Sequence, residues 1–186
     1  NFVRIIQIMK KQDVIILSIL IVSLVLIRAI FNIPNFNPLG AVALMGGVLF
    51  GKNIRAYVVP MGALLAGDII MGLSSPLYSE YIFSISFLMV YLSFALIIGL
   101  GMSIANKPSL TKVLGGSLLA AGVFFLVSNA GSWLALEMYP KSFTGLIAAY
   151  EAGVPFFRST LVSQVLFSLG IYVVYSLATN KKVALA

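Results

Sequence analysis

Long apolar runs separated by short polar connections constrain the fold of this chain more than any other feature. The run Val14–Ile30 contains a single charged residue, Arg28. A helix needs about 20 apolar residues to cross a bilayer, so we predict an all-α integral membrane protein with six transmembrane helices. Because 61% of the residues are hydrophobic and 9% are charged, we expect a single transmembrane domain over residues 1–186.

The predicted spans cover residues 14–30, 39–50, 54–73, 82–105, 113–136 and 156–178. The second span is short, about 18 Å at the helical rise, and a re-entrant segment is the alternative there. Six spans place nine of the 12 Lys and Arg residues on the cytoplasmic side. We therefore expect both termini in the cytoplasm and a multi-pass location in a bacterial cytoplasmic (inner) membrane. We also expect the first run to remain as a span rather than to be cleaved as a signal peptide.

The absent residue types exclude several kinds of chemistry. The chain has no Cys and no His, which excludes disulfides, Cys/His zinc sites, His-ligated haem and His-dependent catalysis. With only five acidic residues we expect no enzyme, no metal site and no cofactor. The net charge of +7 reflects membrane topology, and we expect the lipid bilayer rather than nucleic acid as the partner.

The connections predicted to lie outside are longer than those inside, so we look for a site at the outer face. Asp68 lies about 21 Å along the third span, counted from its start at Ile54. An ionisable group at that depth usually faces the bundle interior or a wet cavity. A ligand contact or cation partner is one reading, and a structural pair with Arg158 or Lys141 is the other.

The stretch "VSNAGSWLALEMYPKSF" ends the fifth predicted span with polar and aromatic residues. Asn129, Trp133 and Glu137 recur at four-residue spacing and therefore share one helical face, and Tyr139 follows. This face predicts a pocket wall. The alternatives are an interfacial anchor for Trp133 and an interhelical hydrogen bond for Asn129.

The segment "YEAGVPFFRSTLVSQ" is predicted to open the sixth span, with Pro155 in the first turn. Glu151 precedes that span. Arg158 is either an anion clamp or an interfacial side chain, and the deeper Gln164 amide requires a partner.

The loop "NIPNFNPLG" carries three further candidates, which are Asn35, Phe36 and Asn37. It is either a plain turn or a lid over an outward pocket. Small residues at four-residue spacing predict close helix contacts, which indicate a compact bundle or a docking face for a partner. They are Ala43, Gly47 and Gly51, then Ala63 and Gly67, then Gly116 and Ala120.

The stretch "NFNPLGAVALMGGVLFGKNIRAYVVPMGALLAGDIIMGL" resembles the second and third helices of the S-components, the substrate-binding subunits of energy-coupling factor (ECF) vitamin transporters. The matching features are Phe50-Gly51, the "KNIR" turn and Gly67-Asp68. The C-terminal part looks like a related, uncharacterised family of bacterial six-helix membrane proteins. The first span lacks the Ala-x-x-x-Ala face with which S-components commonly dock to their coupling subunit, so a solitary carrier or a changed docking face also fits.

This resemblance implies an S-component-like bundle that captures a small solute, a vitamin or precursor, at the outer face. Its implied partners are an ECF coupling subunit and ATPases, because the chain has no phosphate-binding loop of its own. The alternative is a small accessory or structural subunit of a larger membrane complex.

Overall fold

The structure is a computed structural model that describes residues 35–178. The first predicted span, 14–30, and both termini lie outside the described residues. Within them the chain forms helices and no strand. The helices are α1 (Leu39–Phe50), α2 (Arg55–Ser74), α3 (Pro76–Tyr81), α4 (Ile85–Ile104), α5 (Leu110–Ala135) and α6 (Phe143–Ala178).

Four helices, α2, α4, α5 and α6, are long and apolar enough to cross a membrane. The predicted all-α fold is therefore confirmed, and four of the described helices are candidate membrane spans. Helix α1 is equally apolar but has only 12 residues, and most of its side chains are buried. It begins and ends at the residues predicted for the second span.

Helix α1 packs against α4 with the two backbones in direct contact. A Cβ atom on Gly47 would lie 2.1 Å from the carbonyl oxygen of Ile98, and one on Gly101 would lie 2.1 Å from that of Leu44. The predicted close contact at Gly47 is thus confirmed. At Gly67, a Cβ would meet no atom of residues 35–178 within 4 Å, so the contact predicted there is not formed with the described helices.

Helix α3 was not predicted, and its position follows from its ends. The side chain of Ser75 accepts a hydrogen bond from the backbone N–H of Tyr78, and Pro76 occupies the first turn. Ser84 caps α4 in the same way through the N–H of Phe87. Such caps are each worth about 1 kcal/mol, and together they fix α3 between the end of α2 and the start of α4.

Helix α6 extends further than the sixth predicted span. The sixth span was predicted to begin at residue 156, but the helix begins at Phe143. Pro155 was predicted in the first turn and instead lies inside the helix. Polar residues and Pro155 interrupt the apolar pattern of residues 143–155, so the sequence did not indicate a helix there. Gln164 packs on Gly40 at the start of α1, so about 32 Å of α6 precedes that level. The part of α6 before Gln164 therefore extends beyond the start of α1.

Candidate functional site

Two adjoining cavities lie where α1 and α4 begin and α2 and α5 end. The first, the Asp68 cavity, has a volume of about 180 Å³, and residues of all six helices line it. The second, the Asn129 cavity, has a volume of about 480 Å³ and lies mainly between α4, α5 and α6. Tyr81, Phe124 and Thr160 belong to the walls of both. The two cavities therefore adjoin, and together they are called the recess.

Asp68 lies in the wall of the smaller cavity and is only 6% exposed. Its carboxylate accepts hydrogen bonds from the hydroxyl groups of Tyr78, at 2.5 Å, and Tyr91, at 2.7 Å. These two hydrogen bonds hold α3 against α2 and α4. The alternative pair with Arg158 or Lys141 is not formed. Lys141 donates to carbonyl groups at the end of α5 instead.

Aromatic rings form the apolar part of the Asp68 cavity. Tyr81 packs edge-on against Phe87, with ring centroids 5.6 Å apart, and Phe87 packs against Tyr91 at 4.4 Å. Deeper in the bundle, Phe94 stacks on Phe124 at 5.6 Å. This wall was not predicted, although Phe87, Tyr91 and Phe94 recur at helical spacing in the fourth span and therefore share one helical face.

Gln164 brings an unpartnered hydrogen-bond donor to the same cavity. The residue is 4% exposed, and its Nε2 group finds no acceptor among the residues that the structure describes. Its Oε1 atom lies so close to Gly40 that a Cβ there would be 2.1 Å away. A buried polar group without a partner costs about 1–3 kcal/mol. Glycine at position 40 makes room for this amide, and the cavity gives it space for a ligand acceptor.

The described part of the loop before α1, residues 35–38, contributes to the wall of the Asp68 cavity. Asn37 accepts a hydrogen bond from the N–H of Leu39 at 3.1 Å. The carbonyl of Asn35, a residue with φ of 58°, accepts one from Ser163 at 3.5 Å. Both asparagines line the cavity, whereas Phe36 packs on Phe167 with centroids 5.7 Å apart. Two of the three predicted residues are therefore placed at the recess.

Asn129 and Tyr139 line the larger cavity. The Nδ2 group of Asn129 donates to the carbonyl of Phe125 at 2.7 Å, within its own helix. Its Oδ1 atom lies against Gly153, where a Cβ would be 2.3 Å away. The Asn129 side chain is therefore held at the contact between α5 and α6 while it also borders the cavity.

Besides Phe36, four other predicted site residues line neither cavity. Trp133 donates from its Nε1 group to the carbonyl of Pro140 at 2.9 Å and so fixes the connection between α5 and α6. Glu137 lies beyond the end of α5 at Ala135, so its predicted place on one helical face with Asn129 and Trp133 is wrong. Glu151 and Arg158 are exposed on α6. Within residues 35–178, no cluster of acidic side chains could hold a metal ion.

Comparison with known proteins gives one match. The sequence model of a family of unknown function, DUF6580, matches residues 9–185, which is most of the chain. No curated protein and no solved structure matches it.

Proposed function

The chain belongs to the family DUF6580, and we propose that it is a membrane transport protein that binds a small polar organic solute in the Asp68 cavity. The observation that carries this proposal is Gln164, a residue of the cavity wall whose buried amide nitrogen lacks an acceptor among the described residues. Most buried polar groups have a partner. A carbonyl or similar acceptor on a ligand would complete the hydrogen bonding of Gln164.

The other walls of the cavity support an organic solute with a flat part. Rings from α3, α4 and α5 offer apolar faces, and Asp68 and Asn37 add polar groups to the wall. Ligand sites combine apolar walls with a few placed polar groups in this way. The adjoining Asn129 cavity offers space for the rest of a larger molecule.

The resemblance to S-components extends the proposal to uptake of a micronutrient, a vitamin or its precursor. In this proposal the recess opens to the outside of a bacterial cytoplasmic membrane, and the solute is released on the other side. An ECF coupling subunit with its ATPases would drive the transport. An accessory subunit of a larger complex has no comparable need for a polar recess.

The proposal is tested by ligand-dependent thermal shift of the purified protein across a panel of vitamins and their precursors. A ligand at 100 times its Kd stabilises the folded state by about 2.7 kcal/mol, which raises Tm by several degrees. Gln164→Met should abolish the shift while leaving the Tm of the free protein unchanged or higher, because it removes an unpartnered group.

Ser117→Ala is the matched control, because Ser117 is equally buried but donates to Leu114 and lies outside both cavities. This variant should keep the shift. If no compound of the panel raises Tm, the proposal is contradicted. If the protein purifies only as part of a large assembly, the accessory-subunit alternative is supported.

A further inference from the structure

A row of polar side chains continues from the Asp68 cavity along the buried face of α6. Its members are four residues apart, which is the spacing of a side-chain ridge on a helix. The row is Thr160, Gln164, Ser168, Tyr172 and Ser176. Four of the five are buried, and the row is about 24 Å long.

Ser168, at the middle of the row, differs from the other fully buried serines. Its side chain is 0% exposed, and its hydroxyl has no partner among the described residues. Ser93 and Ser117 are also 0% exposed, but they donate to the carbonyls of Val90 and Leu114 on their own helices. Such local bonds are the usual way in which serine is accommodated in a helix.

The row ends at a third cavity on the opposite side of the bundle. This Tyr172 cavity has a volume of about 340 Å³ and includes Tyr172, Tyr175, Ser176 and Asn106 in its wall. The hydroxyl of Tyr172 donates to the carbonyl of Pro108 at 3.0 Å, beside the start of α5. One line of polar groups on α6 thus runs from the Asp68 cavity to the Tyr172 cavity.

Helix α1 covers this row with an apolar surface. Gln164 contacts Gly40 at one end, and Tyr172 packs in a cluster with Met45 and Val48 at the other. A polar row that only packs against an apolar helix would be unfavourable. Two of its groups, on Gln164 and Ser168, have no protein partner among the described residues, so the row is suited to hydrogen-bonding with something that enters it.

We propose that this row is a hydrated polar seam that joins the Asp68 cavity to the Tyr172 cavity and conducts small, neutral, hydrogen-bonding solutes between them. The restriction to neutral solutes follows from the composition of the row, which has hydroxyl and amide groups but no charged residue. An ion would lack a compensating charge inside the membrane. Such a route releases solute without reorientation of the whole bundle.

Cysteine accessibility tests the seam without knowledge of the natural solute. The chain has no Cys, so a single introduced thiol is the only reactive one. In protein reconstituted into liposomes, Ser168→Cys should react with the small neutral reagent methyl methanethiosulfonate at least about tenfold faster than Ser117→Cys. The reason is that the thiolate is the reactive form, and a thiol in a hydrated row ionises more readily than one in an apolar core.

Equal rates for the two variants would overturn the proposal, because the serines are equally buried. With the cationic aminoethyl methanethiosulfonate reagent, the ratio of the Ser168→Cys rate to the Ser117→Cys rate should be smaller than with the neutral reagent. A larger ratio would contradict the restriction to neutral solutes. If Ser168→Cys does not remain monodisperse, the entry of glycerol into the liposomes is compared between the unmodified protein and Ser168→Val, and equal rates of entry overturn the proposal. Ligand binding at Gln164 can fail or succeed independently of these rates.

Discussion

Helix α1 packs against α4 and against α6 in different ways. Its contact with α4 brings glycine backbones together at Gly47 and Gly101, with no room for another atom. Its contact with α6 includes Gln164, an amide whose nitrogen has no acceptor in the described part of the chain. In a membrane, close backbone packing holds helices together. The comparison indicates that α1 and α4 form a fixed unit, whereas the α1–α6 contact leaves a polar group without a partner among the described residues.

The largest expected effect comes from breaking the fixed contact. Gly101→Ala places a Cβ against the Leu44 carbonyl, and we expect a loss of stability of about 3 kcal/mol from overpacking. Gly99→Ala on the same helix is the control, because its Cβ would meet only the Tyr57 hydroxyl at an ordinary 3.8 Å. Thermal unfolding in detergent should separate the two variants. Equal Tm values would show that α1 and α4 are not held by this contact.

The next largest effect should come from the polar anchor of the recess. Tyr91→Phe removes one of the hydrogen bonds to the buried Asp68 carboxylate, and bonds to charged groups are worth about 1.5–3 kcal/mol. We therefore expect a loss of about 2 kcal/mol, measured by the same unfolding experiment. Tyr150→Phe, which loses a bond to the carbonyl of Leu126 at an exposed position, should lose less. The reverse order would mean that Asp68 does not anchor α3 and α4.

Gly40→Ala tests whether the α1–α6 contact differs from the α1–α4 contact. A Cβ at position 40 collides with the end of the Gln164 side chain, which can move, and not with backbone. We expect Tm to change little but ligand affinity to fall about tenfold, or about 1.4 kcal/mol, because the amide is displaced in the cavity. A destabilisation as large as that of Gly101→Ala would remove the distinction between the two contacts.

The smallest effect is expected at Trp133, which takes part in neither the α1–α4 contact nor the α1–α6 contact. Trp133→Phe loses the bond to the Pro140 carbonyl, which is worth about 1 kcal/mol, and should leave affinity unchanged. Ligand titration of this variant gives the measurement. A loss of affinity would instead restore Trp133 to the site, as the sequence pattern predicts.

Sequence patterns located the helices best where apolar runs end sharply. Helix α1 was predicted from start to end because Pro38 and Gly51 bound a continuous apolar run. The start of α6 was missed because polar residues and Pro155 interrupt the hydrophobic pattern. A proline is usually read as a helix boundary, whereas the membrane-like surroundings here accommodate it inside the helix.

The candidate site was predictable only in part. Asp68 and Gln164 stood out because polar groups within apolar spans require an explanation, and both line the smaller cavity. Tyr78 and Tyr91 did not stand out, since a tyrosine in a span is usually an apolar filler or an interfacial residue. Their role depends on the positions of α3 and α4 relative to α2, which no local pattern encodes.

The proline within α6 has a mechanical consequence. Pro155 supplies no N–H to the carbonyl of Glu151, so the helix lacks one internal bond between its first part and the polar row. We therefore expect Pro155 to be the pivot at which the part of α6 before it bends relative to the rest of the helix. A load on that part, whether from a bound molecule or from membrane thickness, would bend α6 at the pivot before it could disturb the packing around Ser168.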